Sequence, residues 1–160
     1  MKVIHNPSLA QVNDHSATSA TFIIEPLHTG YGMTLGNSIR RVLLSSIAGA
    51  AATSFKIEGA SHEFTTIKGI KEDVVDIMLN LKGVHFRSHS DEPVTLRLEK
   101  KGAGKVTAGD IKVTGDIDVI NKDVLIATID DPKASLVMDI VVDTGRGYRT
   151  IEESAVKRTH

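Results

Sequence analysis

The spacing of apolar residues changes along this chain at Gly83. After Gly83 apolar residues alternate with other residues, most clearly at 136–142, where every second residue is Leu, Met, Ile or Val. An alternation with a period of two places these side chains on one face of a β-strand. Shorter candidate strands lie at 94–98, 105–107, 117–120 and 124–129. Several short strands at close spacing predict an antiparallel sheet or a small sandwich for the second half of the chain.

Before Gly83 two segments have helical spacing. Apolar residues recur on one helical face between positions 70 and 81, which predicts a helix over about 71–81. A first helix is predicted over 35–47, with Thr34 as its N-cap and Gly49 as its stop. The chain is therefore predicted to be an α+β protein.

Strand signals also occur around the first helix. The β-rich segments 20–26 and 53–58 predict one strand on each side of it. Residues 1–19 are polar and are expected to form a loose arm or a late-ordering strand. The composition shifts near Ala50 from a strand–helix unit to a strand-rich region, which predicts two segments, 1–50 and 51–160.

Composition excludes several classes of function. The 19 basic and 20 acidic residues give a net charge of -1, so no chain-wide positive field exists and no direct contact with DNA is expected. The absence of cysteine excludes disulfides and thiolate metal sites. There is no apolar run long enough for a membrane span, and the amino terminus lacks the core of a signal peptide. We expect a cytoplasmic protein that does not contact a membrane.

Three glycines precede or open the first predicted helix. Gly30, Gly32 and Gly36 follow a strand, which is the context of a phosphate-binding loop. Their G-x-G-x-x-x-G spacing is one residue too long for the dinucleotide fingerprint, and the lysine of a P-loop is missing. We favour turn glycines, with a close packing contact at Gly36. A nucleotide-binding enzyme that uses the 30–36 turn is the alternative.

No catalytic or metal site is predicted. His62 and Glu63 begin like a zinc-protease motif, but Thr66 stands where the second histidine should be. His85 and His89 could share one face of a strand, yet no third ligand candidate lies nearby. We expect surface histidines, no catalytic residue, no metal and no cofactor.

The first predicted helix has two different faces. At about 100° per residue, one face carries Leu35, Ile39, Val42 and Leu43. The opposite side carries Asn37, Arg40, Arg41 and Leu44. The first face is expected to be a core face. The second is equally well explained as a solvated face with one exposed leucine or as a protein-binding face, since arginine beside an apolar anchor is typical of hot spots. Arginines on a helix could also bind phosphate.

Four ordered blocks of the sequence resemble one known family. They are FIIEPLHTGYGMTLGNSIRRVLLSSIAGAA, HEFTTIKGIKEDVVDIMLNLKG, KVTAGDI and GRGY, and they span most of the chain. Together they resemble the start of the bacterial RNA polymerase alpha subunit. The resemblance implies an α+β fold in which a dimerisation subdomain, here a strand–helix unit within 1–50, is interrupted by a β-rich insert subdomain with one helix, here within 51–160.

The resemblance also implies a function. Alpha subunits of this family dimerise and recruit the beta and then the beta-prime subunit, without supplying catalytic residues to nucleotide transfer. The implied dimerisation residues are Leu35, Ile39, Val42 and Leu43. The implied contacts with the large subunits are Asn37, Arg40, Arg41, Leu44, Lys82, Gly145, Arg146 and Gly147.

The family pattern continues well beyond GRGY. It returns to the dimerisation subdomain, adds a second long helix across the dimer, and ends in a DNA-binding domain. The resemblance therefore implies that the present chain is a fragment or a truncated form. Such a fragment is expected to expose the apolar face of its first helix.

Overall fold

The computed structural model describes residues 6–150 of the chain. These residues fall into two compact units that divide between Ile47 and Ala48. Within the described residues both units contain strands, and each contains one α-helix. The predicted α+β class is confirmed.

The first unit is a β-hairpin followed by a helix. Strand β1 spans Ser8–Ser16 and pairs antiparallel with β2, Ser19–Glu25. Helix α1 spans Tyr31–Ser46. The strand predicted at 20–26 is confirmed, and it ends before a cis Glu25–Pro26 bond. Of the predicted arm, residues 1–5 lie outside the described range, whereas 8–16 form a strand because β2 supplies its hydrogen bonds.

The predicted ends of α1 are wrong on both sides. The helix begins four residues earlier than predicted, with Gly30 rather than Thr34 at the N-cap position. Thr34 lies inside the helix, where its carbonyl accepts a hydrogen bond from the Ser38 hydroxyl at 2.9 Å. The helix ends at Ser46, and Gly49 belongs to the next strand rather than acting as a stop.

The second unit contains one α-helix and eight strands among its described residues, besides a short 3-10 helix at Ala108–Asp110. Its helix and strands are β3 Ala48–Ile57, α2 Val74–Lys82, β4 Phe86–Ser88, β5 Val94–Lys101, β6 Gly104–Thr107, β7 Ile111–Lys112, β8 Ile117–Val119, β9 Leu125–Ile129 and β10 Ser135–Arg146. Six strands form one antiparallel sheet in the order β7-β5-β10-β3-β4-β8. Strands β6 and β9 form a separate antiparallel pair. Strand β3 begins five residues before the predicted 53–58 because its first residues pair with the end of β10.

The core of the second unit is centred on β10. The alternating residues of this strand, Leu136, Met138, Ile140 and Val142, are at most 1% exposed. They pack in one cluster with Leu96 and Leu98 of β5 and with Ile77 of α2. The period-two pattern that predicted this strand is therefore explained by its position between β5 and β3, with one face against the core.

Helix α2 begins three residues later than predicted. Asp73 caps it by accepting a hydrogen bond from the backbone N–H of Asp76 at 2.7 Å. The preceding Glu72 does not belong to the helix. Its carboxylate accepts hydrogen bonds from both the backbone N–H and the hydroxyl of Thr128 in β9. The backbone N–H of Lys71 also bonds to the Thr128 carbonyl at 3.0 Å. The chain before α2 is thus bound to β9 and cannot extend the helix.

Candidate partner-binding surfaces

Helix α1 exposes its apolar face. None of its 16 residues is buried, and Leu35 is the only one that is partly buried. Ile39, Val42 and Leu43 are 39%, 58% and 55% exposed. The expected core face is therefore exposed and does not pack into a core of the first unit.

The opposite side of α1 is polar and cationic around one leucine. Asn37, Arg40 and Arg41 are exposed, and Leu44 is 67% exposed. Within residues 6–150 neither arginine forms an ion pair. Their guanidinium groups can therefore donate to a partner without first breaking an internal contact.

The glycines near α1 do not form a phosphate-binding loop. Only Gly30 precedes the helix, whereas Gly32 and Gly36 lie inside it, where their backbone groups belong to the helix. A phosphate cradle needs several free backbone N–H groups in a loop. No side chain of the described chain lies within 4 Å of the space above Gly36, so the expected close packing contact is also absent. The turn interpretation holds for Gly30, which has a φ of +86° before the helix, and is wrong for Gly32 and Gly36, while the nucleotide-binding alternative is not favoured.

GRGY is half strand and half turn. Gly145 and Arg146 are the last residues of β10, paired with Gly49 and Ala48 of β3. Gly147 has a φ of +64°, a conformation that L side chains rarely adopt, and here the chain bends away from the sheet. Arg146 is exposed and Tyr148 is 90% exposed. The predicted turn is thus confined to the second half of the motif.

Arg149 is a residue of this surface that sequence reasoning missed. Its Nη1 donates to Asp143 Oδ2 at 2.8 Å, and its Nη2 donates to the carbonyl oxygen of Thr144 at 3.2 Å. The Asp143 side chain is only 6% exposed. One signal in the sequence could have indicated this contact. It is an acidic residue at the end of an apolar strand, followed six positions later by an arginine, with two glycines between them.

Lys82 lies beside the same strand as GRGY. It is the last residue of α2, is exposed, and lines a small cleft with residues 52–55 of β3. Gly145 and Arg146 pair with the first two residues of β3. The structure therefore places Lys82 and GRGY along one strand of the second unit. The α1 residues belong to the first unit.

The histidines form no metal site among the described residues. His85 and His89 flank β4, and residues 6–150 hold no cluster of three or more potential metal ligands. His89 instead pairs with Asp118 at 3.0 Å on the surface, and this hydrogen bond lowers the pKa of Asp118. His5 and His160 lie outside the described range.

The two helices were compared with the requirements of a membrane-spanning helix. Across residues 6–150, neither helix combines the length and the apolar character required to cross a membrane.

The fold of the second unit is that of a known class of transcription proteins. Residues 55–160 match the family described as the RNA polymerase Rpb3/RpoA insert domain. This match covers most of the chain, and the chain belongs to this family of RNA polymerase subunits. The resemblance to bacterial alpha subunits is confirmed.

Several relatives carry the name DNA-directed RNA polymerase subunit alpha. The protein of Corynebacterium efficiens is 54% identical over 92% of this chain and 43% of its own length. Those of Symbiobacterium thermophilum and Alkaliphilus metalliredigens are 56% and 52% identical, over 79% and 90% of this chain and 40% and 45% of their own. The chain spans less than half the length of these relatives.

Proposed function

We propose that this chain acts as a non-catalytic assembly part of bacterial DNA-directed RNA polymerase, in the cytoplasm. It self-associates through one face of α1 and binds the beta and beta-prime subunits through other surfaces. The observation that carries the proposal is the exposure of α1, a helix of 16 residues of which none is buried. Because the chain belongs to a family of RNA polymerase subunits, we infer that the exposed helix binds other subunits of the polymerase.

The apolar face of α1 is the proposed dimerisation surface. Leu35, Ile39, Val42 and Leu43 recur at helical spacing, and the last three are between 39% and 58% exposed. Contiguous exposed apolar side chains on a helix are costly in water and are typical of protein interfaces. A second copy of the chain presents the same face and would cover this surface symmetrically.

The opposite side of α1 is the proposed contact with beta. Leu44 provides an apolar anchor, and Arg40 and Arg41 flank it with charges that have no internal partner among residues 6–150. Asn37 adds a polar group on the same side. Arginine and apolar anchors of this kind carry much of the binding energy in many interfaces.

The second unit provides the proposed further contacts with the large subunits. Lys82 is exposed at the end of α2, Gly145 and Arg146 end β10, and Gly147 follows that strand, with Arg146 and Gly147 exposed. Both groups border β3, so one partner segment that follows this strand could contact both. In this proposal the chain supplies no catalytic residue and no cofactor, because other subunits of the complex carry out nucleotide transfer.

Substitution of Arg41 tests the beta contact. Arg41→Ala is expected to lower the recovery of beta in co-purification by about tenfold, which corresponds to about 1.4 kcal/mol. The far-UV circular dichroism spectrum should not change, because the Arg41 side chain is exposed.

Arg97→Ala is the matched control. Arg97 is also a surface arginine, but it belongs to the second unit, where it pairs with Glu58 and Asp139. It is expected to leave the recovery of beta unchanged. Equal recovery of beta with Arg41→Ala and with the unmodified chain would remove the proposed contact.

A further inference from the structure

A buried carboxylate lies beneath the exposed GRGY turn. The Asp143 side chain is 6% exposed, and the guanidinium of Arg149 reaches it from six residues further along the chain, at 2.8 Å. The same guanidinium donates to the Thr144 carbonyl oxygen at 3.2 Å. Through these two contacts Arg149 connects the segment after the turn to Asp143 and Thr144, near the end of β10.

The two glycines of GRGY make this contact possible in different ways. Gly147 adopts a φ of +64° where the chain bends, and two residues later the side chain of Arg149 reaches Asp143. Gly145 has ordinary strand geometry, but a Cβ placed on it would lie 3.3 Å from Arg149 Nη2. The absence of a side chain at Gly145 thus leaves the space that the guanidinium occupies.

Two exposed side chains lie between Asp143 and Arg149. Arg146 and Tyr148 are on the surface, with Tyr148 90% exposed. A loop that is already ordered loses less conformational entropy when a partner binds it. We propose that Arg149 is a positioning residue, which holds residues 145–148 in the conformation that binds a large polymerase subunit. This inference rests on the proposed function of the turn.

Trypsin cleavage after Arg146 measures the order of the turn without any partner. Arg149→Gln leaves the Asp143 carboxylate without the guanidinium, and cleavage at Arg146–Gly147 should accelerate by about tenfold or more, because cleavage follows the open population. Arg97→Gln makes the same change of charge on β5, which pairs with β10, and should not change the rate. Equal rates for Arg149→Gln and the unmodified chain would overturn the inference.

Gly145→Ala tests the proposed geometry. The added methyl displaces the guanidinium, so Gly145→Ala alone should accelerate cleavage after Arg146. In an Arg149→Gln background the same methyl meets no guanidinium and should not accelerate cleavage further. Identical effects in the two backgrounds would show that Gly145 and Arg149 are not coupled, which contradicts the inference.

Capture of the large subunits separates the inference from the proposed function. Arg149→Gln should weaken capture by about threefold or more, and Arg149→Lys should restore it in part, because lysine keeps the charge opposite Asp143 but not the forked pair of donors. Faster cleavage with unchanged capture would overturn the positioning role while leaving the contact with Asp143 intact. If Arg146→Ala also leaves capture unchanged, the proposed function of the turn fails as well.

Discussion

Single residues in this chain are constrained by space as well as by polarity. Gly69 has a φ of +80°, and a Cβ placed on it would lie 2.6 Å from the Cβ of Ala134 and 3.0 Å from that of Asp131. Its carbonyl oxygen also accepts the backbone N–H of Asp130 at 3.0 Å. The close approach of this loop to the 130–134 turn therefore requires glycine at position 69.

Gly69→Ala is expected to destabilise the chain by about 3 kcal/mol, which combines left-handed strain with a steric overlap. Gly59→Ala is the matched control, because Gly59 has a φ of +87° but nothing within 4 Å of its added Cβ. It should cost only the strain, about 1–2 kcal/mol. Urea denaturation of both variants measures the difference, and equal losses would contradict the steric argument.

Residues of the candidate site could be predicted when their relationship is local. The helical spacing of Arg41 and Leu44 was sufficient to place them on the same side of α1, and both are exposed there. The contact between Arg149 and Asp143 could not be predicted in this way. It depends on the turn at Gly147 and on the space above Gly145, which no helical or strand period describes.

Elements were predicted best where one face is buried. The alternation at 136–142 and the apolar face of 70–81 indicated β10 and α2 because both pack against the core. The start of α1 was predicted wrongly because Gly30 and Gly32 indicated a turn that reaches Leu35, since a glycine costs about 1 kcal/mol inside a helix, whereas the helix includes Gly32. The sequence of 8–16 fits both a loose arm and a strand, because the pairing with β2 that makes it a strand is not encoded in the segment alone.

A charged contact connects several elements of the second unit. Asp110 Oδ2 accepts from Lys100 Nζ of β5 at 2.7 Å and from the backbone N–H of Thr107 at 2.8 Å. Lys100 Nζ also donates to the Lys105 carbonyl oxygen of β6 at 2.8 Å. Burial raises the pKa of Asp110, but the hydrogen bonds from Lys100 and Thr107 outweigh it and lower the pKa below its usual value.

This lowered pKa predicts a loss of stability in acid. The contribution of Asp110 is present above its unfolded pKa of about 3.9 and is lost as the pH falls through the lower folded value. Asp110→Asn should therefore cost about 1–2 kcal/mol at neutral pH and progressively less below about pH 4. Urea denaturation as a function of pH measures this.

The control for Asp110→Asn is Glu99→Gln. Glu99 pairs with Lys101 and Lys112, which are 75% and 63% exposed, so its contribution should be small and should decrease with salt. A cost for Asp110→Asn that does not change between neutral and acidic pH would show that charge is not the reason for its effect.

At the scale of the whole chain, all residues described as buried lie in the second unit, between Ile57 and Asp143. The period-two pattern predicted an antiparallel sheet but could not give its strand order. Strand β3 pairs with β10, which lies about 90 residues further along the chain, and only the folded core brings them together.

This distribution of buried residues predicts separate stabilities for the two units. A fragment comprising residues 48–160 should unfold cooperatively on heating, as followed by circular dichroism, because it contains the whole described core. A fragment comprising residues 1–47 should show no such transition, since a hairpin and one exposed helix bury too little apolar surface. A cooperative transition in the shorter fragment would show that the hairpin and α1 form a stable unit by themselves, contrary to this prediction.

We propose that α1 binds two different partners through two opposite faces. Val42 and Leu44 are two positions apart on different faces and are 58% and 67% exposed. Each can therefore be replaced by aspartate without disturbing a core, and sedimentation velocity of the chain with labelled beta measures both associations. We expect Val42→Asp to abolish self-association, and Leu44→Asp to leave self-association intact and to weaken beta binding by about tenfold. The same sedimentation profile for the two variants would contradict the claim.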